Sequence, residues 1–433
     1  MDVPVNSSNT AAPALKGGRS AERKGSILLV GNYRPTIPLA REFRADGYRV
    51  IAGLTDAPER GYARSRYISE LWPHPNPDVE PRAFLEALNA FVADRTDIVM
   101  VVPVAEDIVT LLNAHRHQLH RAADYAMMAP ELIDLCLDKS RMLTLAETVG
   151  VPQAPFRVVD RYEELAKACD GIGFPVAIRP LHSHRKFGSR KTLLCRDHDE
   201  LAALLPAWPA GHDRLIVQAR VVGRRHNVYF AARDGSVFRL LETVADRTDH
   251  WDGTGLAVAG RTVKPSPALR WATEALLRSM NYTGIGCAQF LVDPDTGRSS
   301  FLEINPRIAG NHAIPAAVGL DLGPALVALM RGEPCGPVRI GAGGRRYVWS
   351  YGDFGGLVRD LAARRIGAWS AVRWVATATV DAIRADMHIT WSWRDPLPAL
   401  DAVLGKLFGT MRTPRKAGKP ASVARRPAAG GAR

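Results

Sequence analysis

The first apolar run of the chain, Ser26 to Gly31 (S-I-L-L-V-G), ends on glycine. Helical periodicity follows through Arg44, and then a second apolar run from Tyr48 to Leu54. Short continuous apolar runs that alternate with amphipathic helices predict parallel strands buried on both faces. The alternation repeats with a predicted helix over Pro81 to Ala93 and a strand over Asp97 to Val104, so residues 26–125 read as a doubly wound α/β domain. From Pro130 the pattern changes. A helix is predicted near Leu132 to Val149, a break at Gly150 and Pro152, and then strands alternating with helices as far as Arg331. Residues 332–344 are rich in glycine and proline and read as a linker, and Tyr347 to Phe408 is tryptophan-rich with a helical pattern. The most apolar part of that stretch, Ile366 to Ile383, contains Arg373 and Asp381 and is too short and too charged to span a bilayer. It is expected to be a packed helix rather than a membrane-surface one.

Composition narrows this picture. A chain of 433 residues, 46% hydrophobic, exceeds one ordinary core, so two or three packed domains are expected. Residues 1–25 hold no apolar stretch resembling a signal peptide and read as a disordered leader. The five cysteines (Cys136, Cys169, Cys195, Cys287, Cys335) are far apart and form no C-x-x-C pair, which argues against a zinc cage or a disulfide framework and favours the cytoplasm. The net charge of +13 is unevenly placed. After Asp401 there is no acid, while Lys406, Arg412, Arg415, Lys416, Lys419, Arg425, Arg426 and Arg433 supply eight of the thirteen charges. Residues 410–433 therefore read as a basic disordered tail capable of weak contact with anionic surfaces, and the mildly basic body gives no specific nucleic-acid site.

The candidate chemistry is concentrated near residue 300. Phe290-Leu-Val, an Asp-Pro-Asp-Thr-Gly turn and Phe301-Leu-Glu-Ile-Asn-Pro-Arg307 imply a β-hairpin. Alternation places Glu303 and Asn305 on one face, and Gln289 on the adjoining strand can reach it. One carboxylate with two amide oxygens suits Mg2+ or Mn2+ beside a triphosphate, and Arg307, two residues on, can stabilise a transferring phosphoryl group. Upstream, Gly173 to Pro180 (G-F-P-V-A-I-R-P) is a strand carrying Arg179 inward, and Asp138-Lys139 opens a helix with a second cation. Leu215 to Gly223 (L-I-V-Q-A-R-V-V-G) is an apolar strand able to bond an adenine edge through its backbone, around Gln218 and Ala219, while Val221 packs on the ring. The loop from Pro103 to Asp107, with Glu106, lies at the carboxyl ends of the first sheet, where ligands of open α/β sheets bind.

These elements, in this order and spacing, resemble the ATP-grasp enzymes, and within them the ATP-binding half of carbamoyl phosphate synthetase, over roughly residues 26–330. The resemblance implies a preATP-grasp (Rossmann-like) α/β domain over 26–125, a two-lobed α+β ATP-grasp domain over 126–331 and a helical C-terminal extension over 332–409. It implies that Lys139 and Arg179 contact phosphates and that Gln218 and Val221 border adenine. Gln289, Glu303 and Asn305 would hold the metal, and Arg307 would serve transfer. His250, in Asp249 to Gly253 (D-H-W-D-G), falls where related synthetases place a substrate-side histidine, with a surface-loop histidine as the alternative. The implied activity is ATP-dependent ligation of a small-molecule carboxylate to an amine or, less readily, a thiol, through an acyl phosphate. Bicarbonate phosphorylation and a non-catalytic nucleotide sensor or scaffold are the alternatives, and a homodimer is held open.

Two departures from the family pattern stand out. The segment after Pro180, Leu181 to Lys191, has a single glycine, Gly188, where relatives carry a glycine-rich flap, and its Arg185, Lys186, Arg190 and Lys191 are candidate phosphate donors in place of backbone amides. Arg225 stands where a ribose-binding acid is common. Specificity is expected near Glu106, in the loop 246–255, and at Asn311 and His312.

Overall fold

The computed structural model describes residues 24–55, 64–182, 185–188 and 190–401. The leader through residue 23, parts of the 181–191 segment, and residues 402–433 with the basic tail lie outside the described residues.

The opening alternation builds a five-stranded, all-parallel sheet in the order β3-β2-β1-β4-β5. Its strands are β1 (Ser26–Val30), β2 (Arg49–Thr55), β3 (Glu70–His74), β4 (Ile98–Pro103) and β5 (Asp124–Tyr125), with helices α1 (Thr36–Ala45), α2 (Pro81–Ala93) and α3 (Glu106–Ala114) between them. Every residue of β1 is buried, as a central parallel strand requires. Pro81 begins α2 at the one turn of a helix that tolerates a missing N–H.

The predicted helix at 132–149 is two helices, α4 (Pro130–Leu137) and α5 (Lys139–Thr148). Asp138 separates them: its backbone is extended and its carboxylate caps α5 by accepting the Arg141 N–H at 3.0 Å. A four-stranded sheet follows, ordered β6-β9-β7-β8, from β6 (Phe156–Val159), β7 (Val176–Pro180), β8 (Leu193–Cys195) and β9 (Leu215–Ala219). Its core of Leu165, Val176, Ile178, Leu193 and Val217 is closed by α6 (Tyr162–Ile172) and α7 (His198–Leu204).

The largest sheet has eight strands. Its main path runs β14-β13-β10-β11-β12-β16-β17, built from β10 (Arg224–Arg233), β11 (Ser236–Thr248), β12 (Ala257–Val263), β13 (Gly284–Val292), β14 (Ser299–Asn305), β16 (Arg346–Val348) and β17 (Met387–His388). The short β15 (Arg339–Ile340) pairs with β11, so the expected linker contributes a strand. One face packs α4, α5 and α8 (Pro267–Ser279) through Phe230, Phe290, Phe301 and Tyr282. Tyr229, Leu241 and Cys287 on the other face join α1 and α10 (Leu322–Met330), with the short α9 (Ala313–Ala317) between sheet and helix.

The last helices are α11 (Ser350–Ala362) and α12 (Ala368–Arg384). The helix expected over 366–383 forms as α12 and packs by one side on α11 and β16, but no residue of it is fully buried; among the described residues its polar side-chain contacts are those of Trp374 and Asp381, to Asp353 and Arg247. Among the described residues no helix is long and apolar enough to cross a membrane.

Candidate functional site

The hairpin β13–β14 lies at the edge of the large sheet, and its register decides which side chains meet. Gln289 pairs with Glu303 and Cys287 with Asn305, but Phe290 pairs with Phe301, leaving Leu302 as an extra residue. This bulge matters because strict alternation would place Phe301 on the Glu303 face. Instead Phe301 is fully buried in the core against Phe290, and Glu303, Asn305 and Gln289 share the opposite face. Asn305 Nδ2 donates to Glu303 Oε1 at 3.1 Å.

Cations from three other elements converge on Glu303. Arg179, at the end of β7 and 9% exposed, places Nη2 3.3 Å from Glu303 Oε2, so the small sheet and the large sheet meet at this pair. Arg179 Nη1 donates to Gln218 Oε1 at 3.3 Å, and Gln218 in turn donates to the Ala154 carbonyl. Lys139, the first residue of α5, and Lys191, at the far end of the 181–191 segment, act on Glu303 through their charges. Burial alone would raise the Glu303 carboxyl; Lys139, Arg179, Lys191 and the Asn305 hydrogen bond outweigh it and hold the pKa at about 2. Burial pulls Lys139 in the opposite sense, down to about 7, against the attraction of Glu303. Arg179 is likewise lowered by burial.

Arg307 is shared. Its Nε donates to Glu106 Oε2 at 3.0 Å, Nη2 reaches the same oxygen, and Nη2 also contacts Asn305 Oδ1 at 3.2 Å. Glu106 opens α3 at the carboxyl edge of the parallel sheet, which is how that sheet reaches the hairpin. Burial opposes ionisation of Glu106, but Arg307 and Lys191 keep its carboxyl below the usual range. Its Oε1 is buried with no hydrogen-bond partner among the described residues.

The remaining expected residues are distributed unevenly. Ala219 ends β9 and Val221 lies beyond it, half-buried and outside any strand, so the strand expected to run to Gly223 stops four residues early. Lys186 is exposed, with its carbonyl 3.2 Å from His212, and Lys191, also exposed, acts on Glu303 and Glu106 through its charge. Arg190 is held by Asp252 at 3.0 Å. His250 is not a surface-loop histidine. It is 7% exposed, with Nδ1 3.1 Å from Asp252, out of hydrogen-bond alignment, and Nε2 3.9 Å from Asp360 of α11 and 3.3 Å from Arg365. A buried chain Arg190–Asp252–His250–Asp360 thus ties the 181–191 segment to the last helices. Arg225 turns toward the same face as Gln289; it donates to the Gly255 carbonyl at 2.7 Å, and its Nε is buried without a partner among the described residues.

One group escaped the sequence reading. In the loop after β1, Arg34 is 3% exposed, lies 3.7 Å over the Trp349 ring, and donates to Asn311 Oδ1 at 3.0 Å and Tyr33 Oη at 2.6 Å. No acid pairs with it among the described residues. The local signal was an arginine before Pro35 at a helix start, too common to mark a site. His312 is buried and bonded to Glu42 at 2.8 Å, a structural pair.

The match to known proteins falls on this hairpin. The family model described as "Carbamoyl-phosphate synthase L chain, ATP binding domain" matches residues 262–335, which contain Gln289, Glu303, Asn305 and Arg307. A section of carbamoyl phosphate synthase large chain from Methanopyrus kandleri is 24% identical over 53% of this chain. Two solved structures share the fold at low identity. A biotin carboxylase from Campylobacter jejuni in complex with β,γ-ATP aligns with TM-score 0.60 and 16% identity over 74% of each chain. An ADP complex of N5-carboxyaminoimidazole ribonucleotide synthetase aligns with TM-score 0.57 and 13% identity over 73% of this chain and 79% of that one. The family model, the curated relatives and the fold likeness all point to the ATP-grasp superfamily. Pyruvate carboxylase of Aspergillus terreus is 30% identical over 221 residues, 47% of this chain. That span is only 18% of the pyruvate carboxylase and, for the Methanopyrus protein, 41% of the section, so these relatives carry much that this chain does not align with.

Proposed function

We propose that this protein is an ATP-dependent ligase that activates a carboxylate as an acyl phosphate and passes it to an amine, or less readily a thiol, releasing ADP and phosphate. The observation that carries the reading is the partly buried Glu303, flanked by Asn305 and Gln289, paired with Arg179 and under the charges of Lys139 and Lys191. The donor set fits the expected ligands: cations outnumber acids around Glu303, and Arg225 Nε and Glu106 Oε1 are buried without partners among the described residues. Glu303, Asn305 and Gln289 would hold Mg2+ or Mn2+, which supplies charge neutralisation between phosphates. Lys139, Arg179 and Lys191 would bind phosphate oxygens, and Gln218 and Ala219 would border the base. Arg307, poised between Glu106 and Asn305, stabilises charge as the γ-phosphoryl group moves to the substrate oxygen. Arg34 and Asn311 are suited to orient the substrate acid beside it. The role first given to His250 passes to the closing segment: it positions Asp252 and Arg190 rather than touching substrate.

The test uses 18O-labelled candidate acids with Mg-ATP and an amine pool. Transfer of label into inorganic phosphate, dependent on both substrates, is expected, and AMP with pyrophosphate would overturn the mechanism. Label passing from bicarbonate alone would assign the bicarbonate reading. Tight nucleotide binding with no phosphate release under any condition would assign a sensor.

A further inference from the structure

The last two helices turn their apolar residues outward. On α12, Trp369, Val372, Val380 and Ile383 fall, at about 100° per residue, within an arc of about 80°, and Trp369 and Ile383 are 73% and 78% exposed. On α11, Phe354, Val358 and Leu361, spaced as one helical stripe, are also exposed. Trp393, shortly after α12, is 87% exposed.

The charges of the same module are sorted by side. All six acids between 350 and 401 are engaged. Asp353 and Asp381 hold Arg247, Asp360 holds Arg365 and the Trp251 N–H, and Asp386 accepts the Arg346 N–H. Asp395 accepts from Ser65 and the Arg66 N–H, and Asp401 pairs with Arg64. Arg364, Arg373, Arg384 and Arg394 are exposed, and none has an ion pair among the described residues. The residues that follow, 402–433, add eight cations and no acid.

We propose that this face, α11 and α12 with the exposed arginines around them, docks on an anionic lipid surface. An amphipathic helix with tryptophan on its apolar side and arginine at its margin matches the interfacial zone of a bilayer, where acyl chains take the stripe and acidic headgroups take the cations. A second copy is the poorer fit. A two-fold interface sets the same patch against itself, so the unpaired arginines would meet one another with no acid on the face to receive them. Neither helix spans the membrane; the protein lies on it.

The full chain is sedimented with vesicles of phosphatidylcholine alone or containing about 30% phosphatidylglycerol, in about 0.1 M salt. Binding at least tenfold stronger to the anionic vesicles is expected, and the double variant Val372→Glu, Ile383→Glu should lose most of it, about tenfold or more. Both positions are solvent-exposed, so the thermal melt of the variant should match the parent. Three results would overturn the proposal: no pelleting with anionic vesicles; unchanged pelleting of the double variant, which would leave simple adsorption of basic segments; or a dimer by light scattering that the double variant dissociates while vesicles bind neither form.

Discussion

Lys139 gives the sharpest quantitative handle on the proposed site. It begins α5, is 5% exposed, and burial draws its ammonium down to about 7 in the protein without nucleotide. At pH 8 only ~0.1 of the molecules then carry the charge, and at pH 6 ~0.9 do. Phosphate oxygens placed beside it favour the charged form, so nucleotide binding must draw a proton from solution wherever the lysine was neutral. The expected uptake is ~0.9 proton per nucleotide at pH 8 and ~0.1 at pH 6. Calorimetric titration with a non-hydrolysable Mg-bound ATP analogue, in two buffers of different ionisation enthalpy, measures this number directly. Lys139→Met, run alongside, carries the nucleotide's own proton exchange and isolates the contribution of the lysine. Equal uptake by the parent and by Lys139→Met at pH 8 would refute the placement of Lys139 at the phosphates.

Asp353→Ala removes the buried acceptor of Arg247 and of Trp374 Nε1 (2.6 Å), so denaturant unfolding should show a loss of about 3 kcal/mol. Gly286→Ala builds a Cβ 2.6 Å from Phe230 and 2.9 Å from the Asn305 carbonyl; stability should fall by about 1–3 kcal/mol, and Mg2+ dependence should move to higher metal concentration in steady-state assays. Asp252→Asn weakens the tether on Arg190, and the KM for ATP should rise severalfold while the melting temperature stays near that of the parent. Glu303 has its carboxyl lowered to about 2 from an ordinary 4.5, so its stabilisation is complete above 4.5 and disappears as pH falls toward 2. Acid titration of Glu303→Gln should therefore lack a component of stability, about 3 kcal/mol, that the parent loses over that range.

The elements with strong local signals were legible in the sequence. The apolar runs at 26–31 and 97–104 appear as the parallel strands β1 and β4, and the helix read over Pro81 to Ala93 begins and ends on those residues. Asp138 as a helix opener is seen in its capping bond to Arg141. What failed did so for identifiable physical reasons. Period-2 alternation does not see a bulge, so the sequence put Glu303 on its proper face while implying the wrong one for Phe301. Among like charges in a short segment, spacing does not say which one bears on the acids, and the charge of Lys191 acts on Glu303 and Glu106 although the residue is exposed. The pairing of Glu106 with Arg307, 201 positions apart, and of Arg34 with Asn311, 277 apart, depends on how two sheets are set together, and neither sheet's own pattern encodes it. For α12, a high proportion of apolar residues suggested burial, yet the helix presents that face outward; hydrophobicity indicates that a face needs a partner, not that the partner is in the same chain.

The arrangement of acids in the cleft bears on how such a site survives without its ligand. Lys139 and Arg179 are buried and Arg307 largely so, and each would be costly to hold charged and uncompensated. Glu303 and Glu106 supply the compensation: Glu303 holds Arg179 at 3.3 Å and attracts Lys139, while Glu106 holds Arg307. These two acids therefore occupy, electrostatically, the place a polyphosphate would take. Under the proposed function Glu303 would hold the metal and phosphate oxygens would pair with Arg179, an exchange that would conserve the charge balance around these residues. Nucleotide alone would leave Glu303 facing added negative charge, and metal alone would leave the cations facing added positive charge. The geometry thus favours joint binding of metal and nucleotide over either one separately, and the reason lies in the single carboxylate that the Leu302 bulge turns toward Arg179.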